Sequence, residues 1–212
     1  MTGPRLIMFD YDGVIVDSLA VFVENFGAAC RAHGLDLGSP RDLVGLFDSN
    51  VYESMAARGL SAGTIDKILQ DYEVRQNACL EDLALFAGMA VVLNRIARHH
   101  KVVIITSNLS VPTARILARA GIRGIEAVIG ADQEKSKIKK IVRTKSRYPD
   151  LPAFYVGDTK GDMLEGRQAG ARTVAVAWGW HDVAKLQEGV PDYLVYTPVE
   201  LAALFVAQGN RE

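Results

Sequence analysis

The chain has 212 residues, of which 49% are hydrophobic and 23% are charged, and its formal net charge is -1 at pH 7. These values are typical of a soluble globular protein with one large domain, or one domain with an insertion. They give no indication of a nucleic-acid or membrane partner, and Asp10 interrupts the N-terminal apolar run too early for a signal peptide. Cys30 and Cys79 form no close-spaced metal or redox motif. We therefore expect a cytoplasmic enzyme or binding protein.

The first predicted strand runs directly into two carboxylates. The stretch LIMFDYDGVIVDS, residues 6–18, places Asp10 and Asp12 one residue apart, just before Gly13 and a second apolar run. Charge beside a buried strand costs free energy unless it is paired, bound to metal or used in chemistry. Asp10 and Asp12 are therefore the first candidate functional residues.

Residues 17–85 read as helices, with no convincing strand. The stretches SLAVFVENFGAACRAHG and TIDKILQDYEVRQNACL carry apolar residues at helical spacing, and Ser39 followed by Pro40 is typical of a helix start. We predict that residues 17–85 form an all-helical cap domain inserted after the first strand. Residues 1–16 and 86–212 would form the core domain.

From residue 86 onward, helical and strand patterns alternate. The predicted strands after the first are, in chain order, KVVIIT, EAVIG, AFYVG, TVAVAWG and DYLVY. Such alternation is typical of an open, mostly parallel sheet with helices on both faces. The predicted fold class is therefore α/β, a Rossmann-like sheet with a small helical cap.

Polar side chains follow four of the predicted strands. They are Asp10 and Asp12 after the first strand, Thr106, Ser107 and Asn108 after the second, Lys135 after the third, and Asp158 with Asp162 after the fourth. Ligands of open parallel sheets bind beyond the carboxyl ends of the strands, so these side chains are expected at one edge. Carboxylates suit Mg²⁺, and Mg²⁺ lets a carboxylate approach a phosphate. The pattern predicts phosphoryl transfer, with one aspartate as nucleophile and the other as general acid/base.

The same four segments resemble, in order, the four motifs of the haloacid dehalogenase superfamily of hydrolases. FDYDGVIVDS resembles the Asp-x-Asp-Gly motif, VVIITSN the second motif, Lys135 the third-motif lysine, and YVGDTKGD the Gly-Asp-x-x-x-Asp motif. The match spans Leu6 to Ala177. The stretch GARTVAVAWGW and the helical insertion resemble the phosphoglycolate phosphatase branch, which has a small helical cap.

The resemblance implies catalytic and metal-binding roles for the four aspartates. Asp10 would be the nucleophile and Asp12 the general acid/base. The side chains of Asp10 and Asp158 and the backbone carbonyl of Asp12 would hold Mg²⁺. Asp162 would support the metal, directly or through water.

The resemblance also implies a phosphate site, made of Gly13, Ser107, Asn108 and Lys135. Ser107 and Lys135 would bind the transferring phosphate, and Asn108 and Gly13 would help through backbone groups. Lys137 is a rival for Lys135, which is favoured because it is nearer to the predicted helix start. Thr106 is a rival for Ser107, which is favoured because it directly precedes Asn108.

The resulting interpretation is a Mg²⁺-dependent phosphatase that acts on a small phosphorylated metabolite resembling 2-phosphoglycolate. Substrate specificity would come from the cap segment LFDSNVYESMAARG and its surroundings, with Arg41, Asn50 and Arg58 as candidate contacts. The alternatives are a sugar phosphomutase of the same architecture, a metal-independent dehalogenase, and a non-catalytic binding protein on the same scaffold. The protein would be a monomer or a homodimer.

Overall fold

The computed structural model of the chain describes residues 3–49, 51–80 and 83–206. The strands in these residues are β1 (Leu6–Phe9), β2 (Lys101–Ile105), β3 (Ile125–Ile129), β4 (Ala153–Gly157), β5 (Arg172–Val176) and β6 (Tyr193–Val195). They form one sheet in the order β3-β2-β1-β4-β5-β6, and every neighbouring pair is parallel. The predicted parallel sheet is therefore confirmed, with β1 between β2 and β4.

Helices fill the connections between these strands. Those in the described residues are α1 (Leu19–Ala32), α2 (Pro40–Val44), a 3-10 helix (Gly45–Asp48), α3 (Val51–Ala57), α4 (Ala62–Cys79), α5 (Met89–Ala97), α6 (Ser110–Arg119), α7 (Lys137–Ser146), α8 (Lys160–Gln168), α9 (Val183–Glu188) and α10 (Pro198–Phe205). Parallel strands need such crossovers, and the crossovers place helices on the faces of a sheet.

The two faces of β1 bury alternate residues against different helices. Ile7 and Phe9 belong to a cluster that includes apolar residues of α5, α6 and α10. Leu6 and Met8 belong to a second cluster, which includes Ile141 of α7. Both faces of the strand are thus covered, which explains why its sequence is a continuous apolar run.

The regular elements that the structure describes between β1 and α5 are all helices, and they have their own apolar cluster. Phe22 and Phe26 of α1 pack there with Ile65 and Ile68 of α4. The all-helical character of the insertion, part of the predicted fold class, is confirmed. The domain boundaries at residues 16/17 and 85/86 stay a prediction.

The cap lies against the core through the 3-10 helix and the end of α2. The Lys160 backbone N–H donates to His181 Nδ1 at 3.0 Å, so His181 Nε2 carries its proton toward the Val44 carbonyl, 3.3 Å away. Lys185 Nζ lies 2.5 Å from a carboxylate oxygen of Asp48. These contacts join a cap segment to core residues beside the carboxyl end of β4.

No helix among the described residues is long and apolar enough to cross a membrane.

Candidate active site

Three carboxylates from two neighbouring strand ends meet at the edge of the sheet. Asp10 follows β1, Asp158 follows β4, and Asp162 lies in the first turn of α8. One carboxylate oxygen from each lies within 4.8 Å of one from each of the others, and all three residues are buried. The cluster forms because β1 and β4 are paired in parallel, with Phe9 opposite Val156.

Gly13 makes the close approach of these strand ends sterically allowed. Its φ is +69°, in the left-handed region, and its backbone N–H donates to the Val16 carbonyl at 3.0 Å. A Cβ at this position would overlap the Asp158 carboxylate. Glycine is therefore required here both by the turn and by the carboxylate beside it.

Asp162 is held rigidly by the start of α8. Its Oδ2 accepts hydrogen bonds from the Thr159 hydroxyl at 2.7 Å and the Thr159 backbone N–H at 3.1 Å, while the Thr159 hydroxyl oxygen accepts from the Asp162 N–H. This reciprocal capping box fixes the carboxylate. Its other oxygen, Oδ1, points toward Lys137 and the Tyr155 hydroxyl.

Lys137, and not Lys135, contacts the carboxylate cluster. Its Nζ lies 2.6 Å from Asp10 Oδ2 and 2.7 Å from Asp162 Oδ1. The preference for Lys135 rests on its place near the predicted helix start, and that premise is wrong: α7 begins at Lys137, and Ser136 is its N-cap. Lys135 lies before the helix, is exposed, and lines the cavity next to the cluster.

The loop after β2 separates the two candidate hydroxyls. Thr106 is buried, and its Oγ1 accepts the Asn108 backbone N–H at 3.0 Å, so this hydroxyl supports the turn. Ser107 is exposed and lines the cavity. Asn108 donates through its side chain, from Nδ2 to Asp12 Oδ2 at 2.7 Å. The geometry favours Ser107 over Thr106 as a phosphate ligand, and it gives Asn108 a side-chain contact to Asp12.

Burial and mutual repulsion perturb the acidity of the cluster. Burial, opposed by the charge on Lys137, raises the pKa of Asp10 from 3.8 to about 7. Burial also raises the pKa of Asp12, and burial together with the charges of Asp162 and Asp10 raises that of Asp158 well above its usual range. Burial would raise the pKa of Asp162 too, but the charge and hydrogen bonds of Lys137 and the bonds from Thr159 lower it. One ammonium therefore balances the cluster only in part, and a further cation would be stabilised there.

A cavity of about 210 Å³ lies over this cluster, between core and cap. Its core side carries Asp10, Asp12, Ser107, Asn108, Ala131, Lys135, Lys137, Asp158, Thr159 and Trp180. Its cap side carries Phe26, Phe47, Val51, Tyr52, Leu69, Tyr72 and Glu73. The catalytic candidates thus lie at one end of a partly open cavity whose other walls are mostly apolar.

The cap side of this cavity was largely missed by the sequence analysis. Phe47, Val51 and Tyr52 do come from the segment expected to set specificity, but the candidates Arg41 and Arg58 are exposed and outside the lining. Asn50 lies outside the described residues. The helical spacing of Leu69 and Tyr72 is a signal for a buried face only, and it does not distinguish a cavity wall from a helix-packing surface.

The sequence profile of the haloacid dehalogenase-like hydrolase family matches residues 7–176, and the chain belongs to this family. It is 33% identical over 201 residues to a phosphoglycolate phosphatase of Synechococcus elongatus, with 93% of this chain and 95% of that protein covered. It is 24% identical over 212 residues to a phosphoglycolate phosphatase of Aquifex aeolicus, with coverage of 94% and 96%. A haloacid dehalogenase-like hydrolase from Streptococcus pneumoniae has a similar structure, with a TM-score of 0.79, 25% identity, and coverage of 97% and 100%.

These comparisons confirm the predicted family and fold class. They also agree with the predicted enzyme class, a phosphoric monoester hydrolase.

Proposed function

We propose that the protein is a Mg²⁺-dependent phosphatase that hydrolyses a small phosphomonoester through an aspartyl-phosphate on Asp10. The observation that carries this proposal is the position of Asp10, whose Oδ2 lies 2.6 Å from Lys137 Nζ within the carboxylate cluster and at the end of the cavity. A carboxylate so placed can attack phosphorus if its charge and that of the phosphate are balanced by cations.

The carboxylate cluster fits a magnesium ion. Three buried oxygens within 4.8 Å of one another match the oxygen ligands that Mg²⁺ prefers. Burial, together with the neighbouring carboxylates, raises the pKa values of Asp10 and Asp158, and a cation bound there would favour their ionised forms. Asp10 and Asp158 would hold the ion through their side chains and Asp12 through its backbone carbonyl, with Asp162 in support. A bound Mg²⁺ would neutralise phosphate charge and stabilise the transition state.

The side chains of this chain would divide the reaction between them. Asp10 attacks phosphorus, and the bond to the leaving oxygen breaks as Asp12 donates a proton to that oxygen. Asp12 then accepts a proton from the water that attacks the aspartyl-phosphate, which releases phosphate and restores Asp10. Burial favours the protonated form of Asp12 that the first step needs, and the Asn108 amide orients it. Ser107 and Lys137 would bind the phosphate oxygens, with backbone groups of Gly13 and Asn108.

The names of the relatives make 2-phosphoglycolate the first substrate to test. The sugar phosphomutase, metal-independent dehalogenase and non-catalytic readings remain alternatives. Three further points stay predictions: the monomeric or homodimeric state, the cytoplasmic location, and the absence of nucleic-acid and membrane partners.

The test is phosphate release from a panel of phosphomonoesters, with Mg²⁺, with EDTA, and with the Asp10→Asn variant. The proposal expects turnover that EDTA abolishes and that Asp10→Asn lowers by several orders of magnitude. Substantial metal-dependent activity in Asp10→Asn would contradict the role of Asp10, and activity in EDTA would contradict that of the metal. Transfer of phosphate within a hexose monophosphate would favour the phosphomutase.

A further inference from the structure

The cap side of the cavity has a mostly apolar and aromatic lining. Beyond the phosphate end, it presents four aromatic rings, Phe26, Phe47, Tyr52 and Tyr72, with Val51 and Leu69, and the core adds Trp180. Among the described residues, Glu73 is the only charged residue that the cap contributes to the lining. This wall faces the position of the leaving group of any phosphomonoester whose phosphate lies against Asp10.

We propose that this wall selects phosphomonoesters whose leaving group is uncharged and apolar, no larger than one aromatic ring, and discriminates against leaving groups that carry a carboxylate. The inference rests on the proposed function and specifies its substrate class.

The aromatic part of the wall is held in place by packing. Trp180 stacks on Phe22 with ring centroids 4.3 Å apart, and Phe47 meets Trp180 edge-on at 5.2 Å. Tyr72 meets Phe26 edge-on, also at 5.2 Å. Rings fixed in this way by stacked and edge-on contacts need no ordering when a ligand binds.

The charges around the wall do not suit a second anionic group. Lys137 is already shared by Asp10 and Asp162, at the phosphate end. Lys135 also lines the cavity, from the core side, but it is exposed, so water screens its charge. A carboxylate on the leaving group would lose water against apolar rings and approach Glu73, and an unpaired buried charge is strongly unfavourable.

The size of the cavity limits the leaving group. Its volume of about 210 Å³ must also hold the phosphate. Sites for drug-sized ligands have about 300–1,000 Å³, so a leaving group larger than a single ring would extend out of this cavity into solvent.

The experiment compares kcat/KM for three substrates in the presence of Mg²⁺: 2-phosphoglycolate, its carboxamide, and benzyl phosphate. The acid and the amide are nearly the same size and differ in one charge, so their ratio isolates the effect of the carboxylate. We expect kcat/KM for the amide to exceed that for the acid at least tenfold, and benzyl phosphate to be the best of the three.

Variants identify the residues responsible. Glu73→Gln should reduce the preference for the amide over the acid, whereas Asp66→Asn, the same change at an exposed position of α4 outside the cavity lining, should not. Lys135→Ala should leave the ratio of acid to amide unchanged. A selective loss of activity toward the acid in that variant would identify Lys135 as a carboxylate ligand and overturn the proposal.

Two other outcomes overturn the inference in distinguishable ways. Turnover with 2-phosphoglycolate equal to or better than its amide and benzyl phosphate contradicts the apolar selection while leaving the proposed phosphatase intact. No phosphate release from any of the three, or from the wider panel of phosphomonoesters, contradicts the proposed function, and the inference fails with it.

Discussion

Lys137 lies between two buried carboxylates, and its charge is what stabilises their ionised forms. Asp10 and Asp162 raise the pKa of its ammonium well above the ordinary value, against the opposing effect of burial, so it stays protonated. Such a fixed positive charge is in place before any substrate binds. It is therefore suited to stabilise negative charge that develops on a transferring phosphate.

Removal of the Lys137 ammonium should impair catalysis far more than removal of the Lys135 ammonium. We predict that Lys137→Ala lowers kcat/KM by about 10²–10³, the effect typical of a lost preorganised electrostatic contact. Lys135→Ala is the matched control, two residues away and exposed, and should cost less than about tenfold. Steady-state kinetics on both variants, with circular dichroism to verify folding, decide the matter. An equal or larger loss in Lys135→Ala would restore the lysine first favoured from the sequence.

Gly13 gives a second prediction at this scale. Gly13→Ala should abolish most activity and destabilise the fold, because it combines a left-handed backbone with overlap of the Asp158 carboxylate. Gly121→Ala is matched in φ, at +72°, but has nothing within 4 Å of the added Cβ. It should show only the backbone penalty of about 1–2 kcal/mol and normal kcat. Urea unfolding and kcat measured on both variants test this. Similar behaviour of the two would show that the overlap is relieved at little cost.

The sequence predicted the aspartates of the site because each follows an apolar strand, and parallel strands bring their carboxyl ends to one edge. It did not identify the lysine, because Lys135 and Lys137 differ only in where α7 begins. That boundary depends on the Ser136 hydroxyl accepting the Lys139 backbone N–H at 3.3 Å. A candidate N-cap can be read from the sequence, but the boundaries of helices and strands are the part of the structure that a sequence predicts least accurately.

At the scale of elements, the start of α8 is both a wall of the site and a support for the cap. A Cβ on Gly161, in the first turn of α8, would lie 2.7 Å from the Phe47 carbonyl oxygen and 2.9 Å from that of Ser49. The 3-10 helix of the cap can therefore lie this close only because position 161 has no side chain.

We predict that Gly161→Ala displaces the cap and raises KM, with a smaller effect on kcat, because the cap forms the far wall of the cavity. Gly63→Ala is the control, since Gly63 also lies in a first helical turn but has nothing within 4 Å of its added Cβ. It should stabilise the protein by up to about 1 kcal/mol through helix propensity. Unchanged KM in Gly161→Ala would mean that the contact does not position the cap.

The alternation of helix and strand predicted the elements of the core well, because buried parallel strands and amphipathic helices have distinct periods. The same periodicity in the cap predicted helices but not which of their apolar residues face the cavity. Phe26 is buried against Phe22 and Tyr72, and it also lines the cavity. That distinction arises from tertiary packing, which the helical period does not encode.

At the scale of the whole molecule, the carboxylate cluster should reduce stability in the absence of metal. The native pKa of Asp10 is about 7, against a usual 3.8, so the native state retains a proton that the unfolded chain has already lost. Stability from this group is complete below pH 3.8 and is lost as the pH rises through 7. The native pKa values of His100 and His181 are lowered by burial, so they affect stability at and below about pH 6.5, where the unfolded histidines gain protons.

We predict that Asp10 lowers the free energy of unfolding of the metal-free protein as the pH rises from about 4 to about 7. Asp10→Asn lacks this loss, so it should be the more stable of the two proteins above pH 7. For a chain of this size, each kcal/mol gained in the free energy of unfolding raises Tm by about 2–4 °C. Thermal unfolding in EDTA across this range is the measurement. An Asp10→Asn variant with the same pH dependence as the wild type would contradict the acidity assigned to Asp10.

The most direct measurement of the central claim is chemical trapping of the intermediate. Enzyme mixed with Mg²⁺ and a phosphomonoester is quenched within the first turnovers and reduced with borohydride, which converts an aspartyl-phosphate into homoserine. We predict homoserine at position 10, found by peptide mass spectrometry, and none in a sample without substrate. Sustained phosphate release with position 10 unmodified, or with the modification at another aspartate, would contradict the account.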